Sequence, residues 1–519
     1  MDMTSRSTRS CFVVLGTALA CATAVPLLAQ LVDRTLAPNA ANEGIALSLA
    51  EQIGSGRGDL QTPDSSRFII GRDPFRAIRR GRQLFQRKFR GADGLGPITG
   101  DGAGELDRIG EIGAGLSDSC AGCHGRPRGA AGVGGDVATR PDSRDAIHLF
   151  GLGLKEMLAD EITADLRATR ASLIEAAVRA GRPMSSRLTS KGVHYGKLTA
   201  SPDGTVDTSR VDGVDADLRV RPFFWHGKTM SIREFIVGAL NAEMGLQIAD
   251  PDLLAAAAGA RVVTPAGMTL DGRADAVEAP TAGSELDPAL VDYLEFYLLN
   301  YFKPGQHEQT DETERGLRVF DRMGCTSCHR QSLTIERDRR VADVETVFDP
   351  ERGNLNRLFA TATPRLSVHD DGTGYPTLKL PERQRFEVTN IFTDFKRHDL
   401  GTSFHERNYD GSTRTEFLTA PLWGVGTTAP YGHDGRSVNL REVILRHGGE
   451  AQESRDRFAE ANPRAQRVVM AFLESLVLFP PDDTASNLDP GDRSRPGFPQ
   501  VGHGSIRLSV LFNDPRKVE

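Results

Sequence analysis

The stretch CAGCH at residues 120–124 has a counterpart in CTSCH at residues 325–329, and these two stretches decide how the chain folds. In each one, two cysteines separated by two residues are followed at once by a histidine. The chain has 519 residues and six cysteines, of which Cys11 and Cys21 lie in an apolar segment near the N-terminus. Every cysteine beyond that segment therefore belongs to a C-x-x-C-H motif.

C-x-x-C-H is the attachment signature of c-type haem, in which both thiols bond to the porphyrin and the histidine reaches the iron from one face. Disulfides in an exported protein would not require a histidine after each cysteine pair. A zinc ribbon would need the two pairs, which lie far apart in the sequence, to come together. The motifs favour two covalently bound c-type haems. The predicted attachment and proximal-ligand residues are Cys120, Cys123, His124, Cys325, Cys328 and His329.

The N-terminal segment is typical of a secretory signal. Arg6 and Arg9 precede a run of apolar residues that ends in small residues, which predicts a signal peptide over residues 1–29 and export to the periplasm. An uncleaved anchor helix is the alternative, because the apolar run approaches the length that spans a bilayer. The formal net charge of −7 provides no basic field for nucleic acid, so no nucleic-acid partner is expected.

Helical periodicity dominates the remainder of the chain. The predicted helices lie in residues 73–89, 154–181, 231–245, 288–302, 311–323, 438–449 and 464–479. Shorter β-leaning runs and turns occupy residues 331–395. A helix with G-x-x-x-F precedes each motif, as GRQLF and then GLRVF, which indicates an internal duplication. The predicted fold is mostly α, with two cytochrome c-like haem domains, extra loops and short β segments.

The predicted domain organisation follows from the motifs and from shifts in composition. It comprises a signal peptide (1–29), a lead-in segment (30–70), an N-terminal c-type haem domain (71–305), a C-terminal c-type haem domain (306–480) and a surface tail (481–519).

Several segments resemble the bacterial dihaem cytochrome c peroxidase superfamily, which includes the tryptophylquinone-forming dihaem enzyme and the rubber oxygenases. They are GRQLF, CAGCH, IHLFGLGLKEM, FFWHGKTMSIREFIVGALNAEMG, GLRVFDRMGCTSCH, FKRHDLG and TAPLWGVGTTAPYGHDGRSVNLREVILRHGGEA. The chain is most similar to the branch called di-haem (thiol) oxidoreductase-like, over roughly residues 75–480. A thiol activity has no support, because haem attachment would consume every cysteine beyond the N-terminal segment.

The resemblance implies roles for two residues in FFWHGKTMSIREFIVGALNAEMG. Trp225 matches the tryptophan that helps electrons cross between the haems of the peroxidases, with ordinary core packing as the alternative. Glu243 matches the glutamate that carries a proton during peroxide cleavage, with a solvated glutamate at a helix end as the alternative. His226 replaces a family aspartate and is expected either to line the pocket or to be exposed. Trp423 is expected to be structural.

The sixth iron ligand decides whether a haem transfers electrons or binds peroxide or oxygen. In the peroxidases the distal ligand is a methionine fourteen residues after the HDG histidine, and the same count from His433 leads to His447. His447 is therefore expected to bind the second iron, with a histidine that meets the helix dipole as the alternative. The neighbouring Gly448 and Gly449 are expected to leave room for the macrocycle. His433 and His398 are expected near the haem as orienting residues.

No position stands out as the distal ligand of the first haem. His148 is the nearest histidine downstream of CAGCH, and it is either that ligand or a satisfied core histidine. Met157 and Met244 are expected to be core residues. If none of these residues binds the iron, the first haem keeps an open position and is the reactive one.

The expected function is that of a periplasmic dihaem oxidoreductase of peroxidase type. Electrons from a small cytochrome c or copper protein would pass through the second haem to the first, where hydrogen peroxide or another small oxidant is reduced or a substrate is oxidised through high-valent iron. The alternatives are a non-catalytic electron-transfer cytochrome and a rubber-oxygenase-like dioxygenase. The peroxidases also hold a calcium ion between their domains, but no ligand set for it stands out here.

Overall fold

The computed structural model describes residues 48–72, 74–90, 93, 117–125, 131, 145–280, 283–300, 310–339, 343–354, 359–367, 369–370, 376–377, 385–408 and 410–476. The predicted signal peptide, the first part of the predicted lead-in segment and the predicted tail lie outside these residues.

Helices dominate the described residues, as the mostly α prediction requires. The helices are α1 (Leu49–Ile53), α2 (Ser66–Arg72), α3 (Pro74–Gln86), α4 (Cys120–His124), α5 (Leu152–Ala180), α6 (Ile232–Met244), α7 (Pro251–Ala257), α8 (Ala289–Leu299), α9 (Asp311–Arg322), α10 (Leu440–Arg446), α11 (Gln452–Ala459) and α12 (Pro463–Glu474). None of these described helices is both long and apolar enough to cross a membrane.

Short antiparallel strands connect the helices. They are β1 (Met184–Ser190), β2 (Val193–Ala200), β3 (Val206–Val211), β4 (Arg261–Val263), β5 (Thr269–Asp271), β6 (Leu333–Ile335), β7 (Asp343–Asn354), β8 (Phe359–Ser367), β9 (His369–Asp370), β10 (Pro376–Thr377), β11 (Phe386–Val388), β12 (Arg397–Asp399), β13 (Glu406–Arg407), β14 (Thr413–Arg414) and β15 (Glu416–Leu418). Strands β6–β11 agree with the β-leaning pattern of residues 331–395.

Helix α3 crosses α8 at the glycine of GRQLF. A Cβ atom added to Gly81 would lie 2.3 Å from the carbonyl oxygen of Tyr293 and 2.5 Å from Cβ of Tyr297, so a larger residue would force the helices apart. The phenylalanine of the same segment, Phe85, packs between Tyr297 (5.8 Å between ring centroids) and His124 of the first motif (6.5 Å). The G-x-x-x-F spacing thus links the helix crossing to the C-x-x-C-H histidine.

Helix α9 crosses α12 in the same way. A Cβ atom added to Gly316, the glycine of GLRVF, would lie 1.9 Å from the carbonyl oxygen of Val468 and 2.6 Å from Cβ of Phe472. Phe320 packs between Phe472 (5.5 Å) and His329 of the second motif (6.1 Å). The repeated sequence order therefore corresponds to a repeated arrangement of helix, motif and closing helix.

Two hydrophobic clusters form the core, and they do not divide at one point of the chain. The first contains most buried residues of α1–α8 together with Leu333, Ile335, Ile391 and Trp423 from the later part. The second is built from α9, α10, α11, α12 and Phe392. The region between the second motif and α10 therefore packs against both halves, which fixes their relative position.

A buried ion cluster joins α6 to α8. The Arg233 guanidinium of α6, which is fully buried, contacts Asp250 (2.6 and 2.8 Å), Asp292 (2.9 Å) and Glu295 (2.6 Å). Asp252 lies 3.4 Å from the same guanidinium. Burial opposes the charge of Arg233, but the surrounding carboxylates outweigh burial and strongly raise its pKa. For Glu295, burial outweighs the attraction of Arg233 and raises the pKa to about 7.

The raised pKa of Glu295 predicts a pH dependence of stability. Because the folded protein holds this proton more tightly than the unfolded chain does, the contribution of Glu295 to stability is complete below about pH 4.5 and is lost as the pH rises through about 7. Urea unfolding over this interval should show the wild type losing stability relative to Glu295→Gln, by at most about 3 kcal/mol. Parallel curves for the two proteins would refute the prediction.

The polar sheet β1–β2–β3 was not predicted from the sequence. β1 pairs with β2 and β2 with β3, both antiparallel, and a break in register follows Arg187. The turn between the first two strands uses Lys191 and Gly192, which both have positive φ. An Asp-Gly step between alternating residues is a hairpin signal, and Asp203-Gly204 provides one.

Candidate functional site

The second motif opens onto a cavity of about 230 Å³, here called the second cavity. Helix α9 ends at Arg322, and Gly324 with φ +87° turns the chain into the short 3₁₀ helix Cys325–Ser327. Both cysteines of the motif and His329 line the cavity. His447, at the end of α10, lines it as well.

The rings of His329 and His447 are held in the same manner. Nδ1–H of His329 donates to the carbonyl of Phe392 (3.1 Å), and Nδ1–H of His447 donates to the carbonyl of Val443 (2.6 Å). These bonds fix the tautomer in which Nε2 carries the lone pair, as in metal-binding histidines whose other nitrogen donates to an outer partner. Burial lowers both pKa values, that of His329 to about 4, so both rings are neutral.

The glycines after His447 do not have the predicted role. A Cβ atom added to Gly449 would lie 2.2 Å from the carbonyl oxygen of Asp399, and one added to Gly448 would lie 3.1 Å from that of Leu400. Gly448 N–H also donates to Leu400 (2.9 Å). These glycines allow two backbone segments to approach each other, which anchors His447 to β12, and space for a macrocycle is not what they provide.

His398 lies beside the second motif between two carboxylates. Its Nε2 contacts Asp394 (2.9 Å) and its Nδ1 contacts Glu450 (2.7 Å). Burial opposes its charge, but hydrogen bonds to Asp394 and to the sulfur of Cys328 outweigh burial and raise the pKa of His398 to about 11. His398 lines the second cavity as a cation and can orient an anionic group there.

His433 also lines the second cavity and is almost fully buried. Its ring stacks on Phe417 with 3.8 Å between centroids, and its Nε2 lies 3.4 Å from Glu406. The backbone carbonyl of His433 accepts a hydrogen bond from Asp145 (2.8 Å). These contacts agree with the predicted orienting role and favour it over iron ligation.

The first motif forms α4, whose N-terminus is capped by the side chain of Ser119. Nδ1–H of His124 donates to the carbonyl of Ile147 (2.8 Å), which gives His124 the same tautomer as His329. The two cysteines of α4 and His124 line a separate apolar cavity of about 70 Å³, the first cavity. Because the two cysteine pairs line different cavities, they do not combine into one zinc ribbon.

Glu243 and Met244 line the first cavity together with His124. Both residues stand in the last turn of α6, which starts with a capping box at Ser231 and ends at Gly245 with φ +70°. The remaining wall is apolar and includes Leu294 and Leu298 of α8. The structure thus brings the predicted proton carrier to the proximal histidine of the first motif.

His148 uses both ring nitrogens within the protein. Nε2–H donates to the carbonyl of Trp423 (3.0 Å), and Nδ1 accepts from Phe150 N–H (3.3 Å). Burial lowers the pKa of His148 to about 3. It lines the second cavity and not the first. These contacts favour the satisfied core histidine over a distal ligand of the first haem, because ligation would require the Nε2 bond to break.

The remaining candidates lie away from the first cavity. Met157 is fully buried in the core, and its sulfur accepts from Arg339 N–H (3.3 Å). His226 lines neither of the two cavities, and its ring lies 6.2 Å from Phe224. The expectation that His226 forms a pocket wall therefore gains no support.

Residues 145–149 form a wall between the two cavities, since three of them line the second cavity and Leu149 lines the first. The indole N–H of Trp225 donates to the carbonyl of Asp145 (2.9 Å), and its ring lies 6.5 Å from His433. Trp225 and Trp423 both line the second cavity, so both tryptophans border the wall between the cavities.

The residues at both motifs fit c-type haem. Each cavity is lined by two thiols and by a histidine whose Nδ1 donates to a backbone carbonyl, the donor set that covalent attachment and proximal ligation require. The C-x-x-C-H spacing identified these residues. It gave no signal for the carbonyl partners, Ile147 and Phe392, or for the carboxylates Asp394 and Glu450, because these contacts come from distant parts of the chain.

Comparisons with known proteins give one family match. Residues 360–476 match a family model described as "Di-haem oxidoreductase, putative peroxidase". No curated protein matches the chain. Among solved structures, a chain of Kuenenia stuttgartiensis hydrazine synthase pressurized with 20 bar xenon aligns with 86% of this chain and 99% of its own, at 13% identity and a TM-score of 0.35. A TM-score this low carries no argument about fold or function.

Proposed function

We propose, for a chain whose residues 360–476 match a di-haem oxidoreductase family model, the function of a periplasmic enzyme that reduces hydrogen peroxide. Its two c-type haems would be attached at Cys120 and Cys123 and at Cys325 and Cys328, in two cytochrome c-like domains. The second haem would relay electrons to the first, where the chemistry takes place.

The observation that carries this proposal is the difference between the two cavities. The second cavity is lined by two histidines, His329 and His447, that share the same Nδ1 anchoring. Two such ligands would give a low-spin iron suited to electron transfer. The first cavity has one histidine, His124, and a carboxylic acid, Glu243. That pair leaves a position for a small oxidant beside a proton carrier.

The reaction consumes one hydrogen peroxide, two electrons and two protons and yields two waters. Haem held by Cys120, Cys123 and His124 would supply the metal for peroxide binding and the electrons for cleavage of the O–O bond. Glu243 accepts the proton of the near peroxide oxygen and delivers it to the departing one. The apolar wall around Glu243, with Leu294 and Leu298, limits competing water.

Electrons would enter singly from a small cytochrome c or copper protein and pass through the second haem. The wall of residues 145–149 and Trp225 offers a protein connection between the cavities. Trp225 is tied to this wall by its indole N–H, and Ile147 in the same wall holds His124. This arrangement supports the bridging role that the resemblance implies for Trp225.

A non-catalytic electron-transfer cytochrome is the second candidate, and Met244 favours it. The Met244 side chain is buried and lines the first cavity next to Glu243, and a thioether bound to iron would close the sixth position. The Met244→Ala variant separates the candidates by low-temperature electron paramagnetic resonance (EPR) of the half-reduced protein. An unchanged first-haem signal supports the peroxidase, whereas conversion from low spin to high spin supports the carrier.

The axial role of His447 is tested by its replacement. His447→Ala is expected to convert the low-spin ferric signal of the second haem to high spin, because one of its two ligands is lost. His405→Ala is the matched control, since His405 contacts Asp399 (2.8 Å) without lining the cavity. A low-spin signal that survives in His447→Ala would contradict the assignment.

The proposed function itself is tested by steady-state turnover. The holoprotein, produced with a haem-maturation system, should reduce hydrogen peroxide with a reduced small c-type cytochrome as donor. Two haems per chain without any peroxide turnover, in both the oxidised and the half-reduced protein, would overturn the proposal.

A further inference from the structure

Helix α5 begins inside the protein without a side-chain cap. Its N-cap residue is Gly151, with φ +73°, and the first four helical residues are all buried. Among the residues that the structure describes, none accepts a hydrogen bond from the backbone N–H groups of Leu152, Gly153 or Leu154. Such groups need partners when buried, and together they give the helix N-terminus a partial positive charge.

Lys155 adds a full positive charge at the same place. The residue is only 8% exposed, and its ammonium lies 5.6 Å from the ring centroid of Phe223. Within the described part of the chain, no carboxylate forms an ion pair with Lys155 and no acceptor takes a hydrogen bond from its ammonium. Burial lowers the pKa of Lys155 to about 8, and burial is the sole cause of that shift.

The position of the Lys155 ammonium is electrostatically unfavourable. A lysine in the first turn of a helix is repelled by the dipole, and an unpaired buried ammonium costs several kcal/mol in general. Side chains on a helix lean toward its N-terminus, and the charge of Lys155 lowers the pKa of His148, which precedes the helix. The ammonium therefore acts on the same region as the three N–H groups, and an anion there would satisfy both.

The region lies at the wall between the two cavities. A Cβ atom added to Gly151 would lie 2.7 Å from Cη2 of Trp423. Trp423 and His148 line the second cavity, whereas Leu149 lines the first. The start of α5 is therefore next to residues that line both cavities.

We propose that the N-terminus of α5 and Lys155 bind a propionate carboxylate of haem. This inference rests on the proposed haem content, because each haem carries two propionates. Binding would satisfy the backbone N–H groups and pair the buried ammonium. It would also keep the propionate ionised in an apolar wall. Lys155 thereby becomes a haem-positioning residue, and it acts on the haem through the propionate.

The test compares Lys155→Met with the charge-conserving Lys155→Arg in the haem-loaded protein. The midpoint potentials of both haems are measured by spectroelectrochemical titration. Removal of a cation beside a propionate stabilises the oxidised haem, so Lys155→Met should lower the potential of one haem and leave the other unchanged. Lys155→Arg should retain both wild-type potentials. The haem whose midpoint potential changes is the one that carries the bound propionate.

Three outcomes would overturn the proposal. One is a Lys155→Met protein with two haems per chain and both potentials unchanged. Another is a shift of the wild-type potentials on addition of inorganic phosphate that Lys155→Met abolishes, which would identify a free anion as the ligand. The third applies if Lys155→Met does not fold. The wild type is then titrated alone, and a propionate that protonates at the ordinary carboxyl pKa of about 4–5 contradicts a contact with Lys155.

A failure of the propionate contact can be distinguished from a failure of the proposed function. A chain without haem would refute the proposed function before Lys155 is examined. In a dihaem protein without peroxidase turnover the potentials can still be measured, so the test of the propionate contact does not depend on activity.

Discussion

Replacement of Glu243 by glutamine is expected to slow peroxide reduction by about 10²–10⁴-fold, the usual contribution of a positioned general acid–base. Glutamine keeps the size and polarity of the side chain, but it cannot accept and return a proton. Glu243 lines the first cavity together with His124, and the residues that line this cavity include no other carboxylate. None of them can therefore replace Glu243 as the proton carrier. The measurement is the turnover number at saturating peroxide and donor.

A structural effect of this replacement can be separated from a chemical one. Glu175→Gln on the exposed face of α5 is the matched control, because Glu175 takes part only in a surface pair with Arg179. The ferric EPR spectrum of Glu243→Gln should equal that of the wild type, which shows that the iron environment is intact. Turnover within twofold of the wild type would remove Glu243 from the mechanism.

Arg233→Met is expected to lower the free energy of unfolding by about 3–5 kcal/mol, the effect of removing one partner from a buried ionic cluster. The fully buried guanidinium holds Asp250, Asp292 and Glu295, and its loss leaves these carboxylates without their shared cation. The cluster also joins α6 to α8, so we expect the position of Glu243 to be disturbed as well. Urea unfolding monitored by tryptophan fluorescence and by circular dichroism measures the loss.

Arg273→Met is the control for Arg233. The Arg273 side chain is largely exposed and pairs with Asp271 (3.2 Å) two residues away, and exposed pairs contribute at most about 1 kcal/mol. An equal loss of unfolding free energy in the two variants would show that the buried cluster stabilises the protein no more than an exposed ion pair does. In that case another set of contacts must hold α6 against α8.

Much of the fold and of the candidate site could be predicted from local sequence. The helices that carry Gly81, Gly316 and Glu243 were predicted because apolar residues recur at helical spacing within single segments. The two haem motifs are likewise local, so spacing alone identified His124 and His329. The count that led to His447 came from the family resemblance, and the structure places this residue on the second cavity.

Other features depend on contacts between distant segments, which no local pattern encodes. The backbone carbonyl of Trp423 that satisfies His148 lies 275 residues away. The close approach of Gly449 to Asp399 likewise needs the folded chain, and this is why the role predicted for the glycines was wrong. The sheet β1–β2–β3 was missed for another reason: its hairpin signal is local, but its strands are too polar to show a buried face.

The central claim is that the two haems differ in axial ligation, and low-temperature EPR of the oxidised holoprotein tests it most directly. The account predicts one low-spin ferric signal from the second haem, held by His329 and His447. It also predicts one high-spin ferric signal from the first haem, either at once or after half-reduction of the sample. Two low-spin signals that persist after half-reduction and do not respond to peroxide would contradict it and leave an electron carrier.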